Sequence, residues 1–239
     1  MTTAVILAAG AGRRLGDLGR STSKAMVPVL GRPMAQWVIE RLRAAGVGDM
    51  VVVAHESDAA LQAFVEQAGA DIRVVRQRER RGIADAVVQA LPQVKGDAYL
   101  ACACDSLFDS VDITRVIDAG RRDAGTAVVG VQEMGVEATA TRSAVEVRDG
   151  LVARLHEKPP PGTTDSPLVA LPLYWLTAAL EPYLRDAVLV GGERHVSTAL
   201  NEYIASGGRV RAVNVGHRTE ITTAEDIARA EAELGAPAR

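Results

Sequence analysis

Residues 4 to 16 read AVILAAGAGRRLG, an apolar run that passes directly into a loop rich in glycine and arginine. The apolar run has the length and composition of a buried strand. In the glycine loop (residues 8–16), Gly10 and Gly12 would let backbone N–H groups approach phosphate oxygens closely. Arg13 and Arg14 would supply the opposing charge. The stretch therefore predicts a strand followed by a cradle for a triphosphate.

Two common phosphate-binding loops do not fit this stretch. The dinucleotide fingerprint and the Walker loop both need a helix that starts directly from the glycines. Here the glycines are spaced G-x-G-x-x-x-G, no Gly-Lys-Ser/Thr is present, and Pro28, Gly31 and Pro33 prevent a helix before Pro33. A simple turn with solvated arginines is the remaining alternative for the same residues.

Along the chain, β-rich apolar runs alternate with amphipathic helical patterns. The runs that predict strands are residues 5–8, 50–54, 72–76, 98–103, 126–131, 145–147, 151–157, 168–173 and 210–215. This alternation predicts an α/β fold: a single Rossmann-like, doubly wound, mostly parallel sheet with helices on both faces and ligands at the carboxyl ends of the strands. Residues 126–173 are interpreted as a β-rich insertion, and a Thr222-x-x-Glu225 capping box predicts the start of the last helix.

The composition predicts a large core and excludes some partners. Hydrophobic residues form 48% of the chain, and the net charge of −3 comes from both signs spread along the sequence, so long nucleic acid is not expected as a partner. No signal peptide or membrane-spanning run is recognisable, so we expect a cytoplasmic protein without a membrane partner. Cys102 and Cys104 are expected to be reduced core thiols.

The glycine loop and the residues after it resemble the sugar-phosphate nucleotidylyltransferase family, the glucose-1-phosphate thymidylyltransferase-like NTP transferases. The family signature reads L-A-A-G-x-G-x-R-L, followed by P-K and P-V-x-G-x-P. The matching positions are Gly10, Gly12, Arg14, Leu15, Lys24, Pro28, Val29, Gly31 and Pro33. The resemblance implies that Arg14 binds the triphosphate and that Lys24 neutralises charge at the transferred phosphate. The nucleotide-binding residues expected at this loop are Leu7, Ala9, Gly10, Gly12, Arg13 and Arg14.

A second segment resembles the part of the family that contacts the nucleobase. Gln77 and Gly82 match its Q-x₄-G spacing. A side-chain amide can donate to and accept from a base edge, and a glycine lets the backbone approach the base. The spacing resembles uridylyl- and thymidylyl-transferring members, so we expect a pyrimidine nucleoside triphosphate. An exposed polar turn is the alternative.

Two acidic residues are candidates for binding Mg²⁺. Asp105 ends the fourth strand, where the resemblance implies the aspartate that holds the ion, and strand ends are well placed for a ligand site. Glu220 stands where the family has its second metal-binding aspartate, and Cys104 replaces a family glycine. A cap on the turn after the strand is the alternative role for Asp105.

The acceptor side is marked by a shorter motif. The tripeptide Glu157-Lys158-Pro159 resembles the family's E-K-P element, whose lysine grips the phosphate of the acceptor. We expect Glu157, Lys158 and Tyr174 to bind the acceptor, although this chain has Pro172-Leu173-Tyr174 where the family often has G-[IV]-Y. A solvated lysine at a strand end is the alternative.

These features imply a nucleotidyltransferase that couples a nucleoside triphosphate to a sugar 1-phosphate and releases pyrophosphate and an NDP-sugar. The acceptor's phosphate oxygen would attack the α-phosphorus in line, without a general base, because the second pKa of a phosphate ester is about 6. Catalysis then consists of alignment and charge neutralisation, with Mg²⁺ as the cofactor. The catalytic residues expected are Arg14, Lys24, Asp105 and Lys158.

We expect one domain over residues 1–234, with a nucleotide-binding half at about 1–125, an acceptor-binding half at 126–220 and a frayed tail at 235–239. A homo-oligomer is compatible with the sequence. The rival acceptors are phosphocholine, a polyol phosphate and a molybdopterin-type compound. In another functional class, the departures at Ser23, Cys104 and Glu220 would suit a catalytically lapsed module that only binds nucleotide.

Overall fold

The structure is a computed structural model that describes residues 2–10 and 23–235. Gly12, Arg13 and Arg14, which we predict to bind the triphosphate, lie outside the described residues, as do residues 236–239.

Strands and helices alternate through most of the chain. The strands are β1 (Thr3–Leu7), β2 (Pro28–Val29), β3 (Arg32–Pro33), β4 (Asp49–His55), β5 (Ile72–Gln77), β6 (Ala98–Ala103), β7 (Ser106–Phe108), β8 (Ala127–Glu133), β9 (Ser143–Arg148), β10 (Leu151–Glu157), β11 (Leu168–Thr177), β12 (Leu189–Val190), β13 (Glu193–Arg194), β14 (Val210–Asn214) and β15 (Arg218–Glu220). The helices are α1 (Met34–Ala44), α2 (Ala59–Ala68), α3 (Ile83–Ala90), α4 (Ser110–Arg122), α5 (Val136–Thr139), α6 (Glu181–Asp186), α7 (Val196–Ala205) and α8 (Ala224–Gly235). Short 3₁₀ turns lie at Lys24–Met26, Leu91–Gln93 and Ala178–Leu180. Each run that we interpreted as a strand is a strand apart from its end residues, and α8 ends at Gly235, the first residue of the predicted tail.

A nine-stranded sheet has the order β5-β4-β1-β6-β11-β8-β14-β10-β9. β1 is parallel to β4 and β6, β4 is parallel to β5, and β8 is parallel to β14. β11 is antiparallel to both neighbours, β6 and β8. The β-rich segment therefore extends the same sheet instead of forming a separate layer. The prediction of a mostly parallel α/β sheet is confirmed.

Helices cover both faces of this sheet, as predicted. Ala4 and Ile6 of β1 pack into one core with α1, α2, α4 and α8, while Val5 and Leu7 pack into a second core with α3, α6 and α7. Successive strand residues point to opposite faces, so an unbroken apolar run is what a strand buried on both sides requires.

The carboxyl ends of β1 and β6 bring the glycine loop to Asp105. The two strands are parallel neighbours with Leu7 opposite Ala103, so the residues that follow leave the sheet at the same edge. The Cys104 N–H donates to the Leu7 carbonyl at 3.0 Å. Asp105 is thereby held beside the first residues of the loop.

The predicted capping box of the last helix needs correction. The capping box of α8 is formed by Thr223 and Asp226, because the Asp226 carboxylate accepts from the Thr223 N–H at 2.8 Å and the Thr223 hydroxyl accepts from the Asp226 N–H at 3.3 Å. The box is thus one residue later than the predicted Thr222 and Glu225.

Cys102 and Cys104 are both free and buried, and burial raises the pKa of the Cys102 thiol to about 12, which agrees with reduced core thiols.

At the amino edge of the sheet, Asp49 ties three elements together. Its carboxylate, 5% exposed, accepts from the Arg73 guanidinium at 2.7 and 2.9 Å, from the Lys95 ammonium at 2.8 Å and from the Thr3 hydroxyl at 2.7 Å. The Arg73 hydrogen bonds, with those of Lys95 and Thr3, outweigh the effect of burial and hold the pKa of Asp49 well below its usual range. The carboxylate therefore stabilises the fold as an anion.

We predict that Asp49→Asn lowers the free energy of unfolding at pH 7 by about 1–3 kcal/mol, because it removes charge-assisted hydrogen bonds from a buried site. Asp71→Asn is the control, since its ion pair with Arg43 is exposed and should contribute less. Because the folded-state pKa of Asp49 is lowered, its contribution is complete above about pH 4 and is lost as the pH falls further. Urea unfolding at pH 7 and pH 3 measures both effects. Equal stability of parent and Asp49→Asn at pH 7 would contradict this role.

Candidate active site

A cleft of about 580 Å³ opens at the carboxyl edge of the sheet. It is lined by residues from both halves of the chain, which agrees with the expectation that ligands bind at strand ends. The predicted site residues that line it are Leu7, Ala9, Gly10, Lys24, Gln77, Gly82, Asp105, Glu157, Tyr174 and Glu220. Lys158 is exposed and is not among the lining residues.

An ion pair between Lys24 and Asp105 lies at the centre of the cleft. The Lys24 Nζ is 2.6 Å from Asp105 Oδ2, and the two side chains are 15% and 26% exposed. Lys24 begins the 3₁₀ turn that leads into the β2–β3 hairpin, and Asp105 follows β6. The pair therefore connects the segment after the glycine loop to the sheet, where an ammonium group can also donate to phosphate oxygens.

Asp105 and Glu220, the two predicted metal ligands, are neighbours. β15 pairs antiparallel with β7, so that Glu220 lies opposite Ser106, and the Ile221 N–H donates to the Asp105 carbonyl at 2.9 Å. This short strand pairing, which the sequence did not indicate, brings the end of the chain to β6.

The donor set of these carboxylates fits a hard divalent cation. Within residues 2–10 and 23–235, Lys24 engages Asp105 Oδ2 and two arginines engage Glu220 Oε2, while Asp105 Oδ1 has only a long contact of 3.4 Å with the Ser106 hydroxyl. One oxygen of each carboxylate is thus available for a cation. In the described part of the chain, no three or more His, Cys, Asp or Glu side chains are grouped so that they alone could hold a metal ion, so phosphates and water would complete the coordination.

Two arginines that the sequence analysis missed surround Glu220. Arg218 Nη2 is 2.7 Å and Arg142 Nη2 is 2.9 Å from Glu220 Oε2. Burial disfavours the charged form of Glu220, but Arg218 and Arg142 outweigh it and lower the pKa of this carboxyl. Arg218 is itself only 6% exposed, and burial lowers its pKa while Glu220 partly offsets that effect. Arg218 stands next to a predicted ligand, whereas Arg142 belongs to no motif.

A third missed arginine lies beside the glycine loop. Arg80 lines the cleft, and its Nε donates to the Ala9 carbonyl at 2.8 Å. The guanidinium is therefore held next to the part of the loop where phosphates are expected. In the sequence, Arg80 belongs to the basic run between Gln77 and Gly82, and this run could have indicated its role.

Gln77 and Gly82 form one end of the cleft. Gln77 is 3% exposed and its Nε2 donates to Asp85 Oδ2 at 2.6 Å, which fixes the amide. Gly82 has φ +94, and a Cβ at this position would lie 2.5 Å from the Arg194 carbonyl oxygen of β13. This close approach of two backbones requires glycine, so Gly82 is fixed against β13 and Gln77 is buried, while the four residues between them are exposed, as the polar-turn alternative expects.

On the acceptor side, Glu157 is held by several donors. Its Oε2 accepts from the Ser143 hydroxyl and from the Ser197 hydroxyl at 2.9 Å, and its Oε1 lies 3.8 Å from His195 Nδ1. Burial, reinforced by the charge of Glu157, raises the pKa of Tyr174. Tyr174 is therefore a neutral phenol beside a carboxylate.

Lys158 is placed differently from Glu157. Its φ of +43 turns the chain at the end of β10, and its N–H donates to the Arg142 carbonyl at 3.1 Å. The structure thus ties the backbone of Lys158 to Arg142, which lines the cleft, while Lys158 itself is exposed and is not a lining residue.

The α/β sheet and the charged cleft at its carboxyl edge fit a nucleotidyltransferase. The chain belongs to the MobA-like NTP transferase domain family, whose model matches residues 4–203. The predicted family and enzyme class are confirmed. Enzymes of this family generally use a divalent metal ion.

Among its relatives, the chain is 27% identical over 231 residues to the UTP--glucose-1-phosphate uridylyltransferase of Bacillus subtilis, covering 83% of this chain and 79% of that protein. It is 29% identical to the UTP--glucose-1-phosphate uridylyltransferase AglF of Haloferax volcanii, covering 97% and 96% of the two chains.

Solved structures share the fold. A UDP-glucose pyrophosphorylase complexed with UDP-glucose superposes with a TM-score of 0.85 at 19% identity, covering 98% of both chains. A UTP-bound UGPase from Acinetobacter baumannii gives a TM-score of 0.84 at 21% identity, covering 98% of this chain and 93% of the other. Among the described helices, none combines the length and apolar character needed to cross a membrane. The cytoplasmic location and the oligomeric state stay predictions.

We predict that Gly82→Ala raises the dissociation constant of the nucleoside triphosphate by on the order of tenfold or more, because the added Cβ displaces the segment from Gln77 to Gly82 from β13. Gly96→Ala is the matched control: Gly96 also has a positive φ of +85, but a Cβ added there would meet no heavy atom of the described residues within 4 Å beyond its chain neighbours. Calorimetric titration with UTP measures both variants. Equal loss of affinity in the two would show that backbone strain alone, and not the contact with β13, is responsible.

Proposed function

We propose that the protein transfers a uridylyl group from UTP to a sugar 1-phosphate, with glucose 1-phosphate as the leading acceptor and Mg²⁺ as the metal ion. The observation that carries this proposal is the convergence of Lys24, Arg142 and Arg218 on two carboxylates beside the glycine loop. Such a cluster suits a reaction in which several phosphate groups meet. The relatives named above support the choice of base and sugar.

The reaction needs alignment more than acid–base chemistry. A phosphate oxygen of the acceptor bonds to the α-phosphorus, and the bond from the α-phosphorus to the oxygen bridging to the β-phosphorus breaks, so that its electron pair leaves with pyrophosphate. Lys24, held beside Asp105, is proposed to neutralise negative charge as it develops on the transferred group, and Arg14 is proposed to bind the triphosphate. The acceptor phosphate is already ionised near neutral pH.

Asp105 and Glu220 are proposed to hold Mg²⁺ through the carboxylate oxygens that face away from Lys24 and the arginines. When bound, the ion would neutralise phosphate charge and orient the triphosphate. Gln77 is proposed to bind the pyrimidine edge with its fixed amide, while the backbone at Gly82 approaches the base.

The acceptor pocket suits a sugar better than a choline. Glu157, fixed by Ser143 and Ser197, can accept hydrogen bonds from sugar hydroxyls. A quaternary ammonium would favour an aromatic cage, but Trp175 packs in the core on the other face of the sheet from Tyr174. On the E-K-P resemblance, Lys158 is proposed to act on the acceptor side, although its side chain is exposed and does not line the cleft.

We predict that kcat/KM for pyrophosphate release is highest with UTP and glucose 1-phosphate. The assay crosses UTP, dTTP, CTP, GTP and ATP with glucose 1-phosphate, other sugar 1-phosphates and phosphocholine. Lys24→Met should lower kcat by about 100-fold or more while the protein stays folded, with a much smaller effect on stability than on rate, because it removes a charge aimed at phosphate and keeps the chain length. Silence of the parent with every pair would favour a module that only binds nucleotide. A preference for GTP or ATP would overturn the proposed base.

The metal ligands are tested by titrating divalent ion in two conservative variants. Asp105→Asn should abolish activity with the fold intact, because it removes both a ligand charge and the partner of Lys24. Glu220→Gln should cause a smaller loss that high Mg²⁺ or Mn²⁺ partly restores. Circular dichroism confirms the fold of each variant. Activity independent of divalent ion, or an Asp105→Asn protein as active as the parent, would remove the metal site.

A further inference from the structure

Among the described residues, the Arg142–Glu220–Arg218 cluster carries more positive than negative charge. Both guanidinium groups contact the same oxygen, Glu220 Oε2, so one carboxylate faces two cations. With the Lys24–Asp105 pair beside them, the group of five keeps a net positive charge. Buried charge without compensation is unfavourable, and two like charges at one oxygen repel. An anion bound at this point would relieve both effects.

Arg218 has a further unsatisfied donor. Its side chain is 6% exposed and lines the cleft, and its buried Nε has no hydrogen-bond partner within the described part of the chain. Buried guanidinium donors are normally paired, and exceptions in native structures call for a functional explanation. A second, independent observation thus joins the charge imbalance in pointing to an anionic ligand.

The position of the cluster identifies which anion it would bind. Arg218 lies two residues before Glu220 on β15, next to Asp105, where the transferred phosphate is proposed to lie. Arg142 precedes Ser143, whose hydroxyl donates to Glu157 in the proposed sugar pocket. The two arginines therefore lie between the site of the α-phosphate and the site of the sugar. The group that occupies this interval in the proposed reaction is the phosphate of the acceptor.

We propose that Arg142 and Arg218 bind the phosphate of the sugar 1-phosphate, and that Glu220 acts as a positioning residue that holds the two guanidinium groups side by side. The inference rests on the proposed function. Planar guanidinium groups match phosphate oxygens with paired hydrogen bonds, which a lysine cannot do. In this arrangement Lys158 supports the site through its backbone, because its N–H donates to the Arg142 carbonyl and holds it in place.

The test separates phosphate binding from nucleotide binding. In the parent, we measure KM for UTP and glucose 1-phosphate, and dissociation constants for UMP and UDP-glucose by calorimetry. Arg142→Met and Arg218→Met should each raise the KM for glucose 1-phosphate and the dissociation constant of UDP-glucose by about 10- to 100-fold, as expected for the loss of a charge-assisted hydrogen bond. The constants for UTP and UMP should change by less than about threefold.

Arg209→Met serves as the matched control, because Arg209 is 54% exposed and pairs with Asp123 away from the lining of the cleft. Its constants should equal those of the parent. If Arg218→Met fails to fold, Arg142→Met decides, since that side chain is 33% exposed. Glu220→Gln should raise the KM for glucose 1-phosphate even at saturating Mg²⁺, which a role limited to the metal would not do.

The outcomes are distinguishable. A parent that neither turns over nor binds a sugar 1-phosphate or its nucleotide conjugate overturns the proposed function and this inference with it. If the parent is active but both arginine variants keep the parent's KM for glucose 1-phosphate and its dissociation constant for UDP-glucose, only this inference is overturned. A larger rise in acceptor KM for Lys158→Met than for either arginine variant would also overturn it, because the phosphate would then be held by the lysine.

Discussion

The ion pair between Lys24 and Asp105 is the contact on which the geometry of the cleft depends. It joins the segment after the glycine loop to the end of β6, at the edge where the parallel strands β1 and β6 both end. Because Asp105 is followed directly by β7, the same edge also receives β15 and with it Glu220. The ion pair therefore lies where three distant parts of the sequence meet, and the backbone pairing of β15 with β7 completes this arrangement.

The two halves of the sheet are continuous, and charged residues from both halves meet at the cleft. β11 lies antiparallel between β6 and β8, so the strands of the acceptor half continue the sheet of the nucleotide half without a break. Glu157 and Tyr174 reach the cleft from this second half, and Arg142 brings a cation from it to Glu220. The phosphates of two substrates can thus meet over a continuous and rigid surface, which favours alignment during transfer.

The residues that could be predicted are those whose position follows from the end of a strand. Gln77 and Asp105 stand at strand ends, Lys24 was expected from the family resemblance, and all three line the cleft. Arg142 could not be predicted in the same way, because its contact with Glu220 joins residues 78 positions apart in the sequence. Arg218 is only two residues from Glu220, but its place in the cleft depends on the pairing of β15 with β7, which the residue pattern did not indicate. A residue pattern also does not specify local backbone geometry. It therefore could not predict the left-handed backbone at Lys158 or the shift of the α8 capping box by one residue.

Pyrophosphorolysis of UDP-glucose is the most direct test of nucleotidyl transfer at this cleft, since a reversible transfer must use the same site in both directions. Phosphorus NMR follows UDP-glucose and pyrophosphate with the protein and a divalent ion. Uridylyl transfer predicts that UTP and glucose 1-phosphate appear in equal amounts, and that neither appears with Lys24→Met under the same conditions. UDP-glucose left unchanged by the folded parent, or hydrolysed to UMP and glucose 1-phosphate without uptake of pyrophosphate, would contradict it.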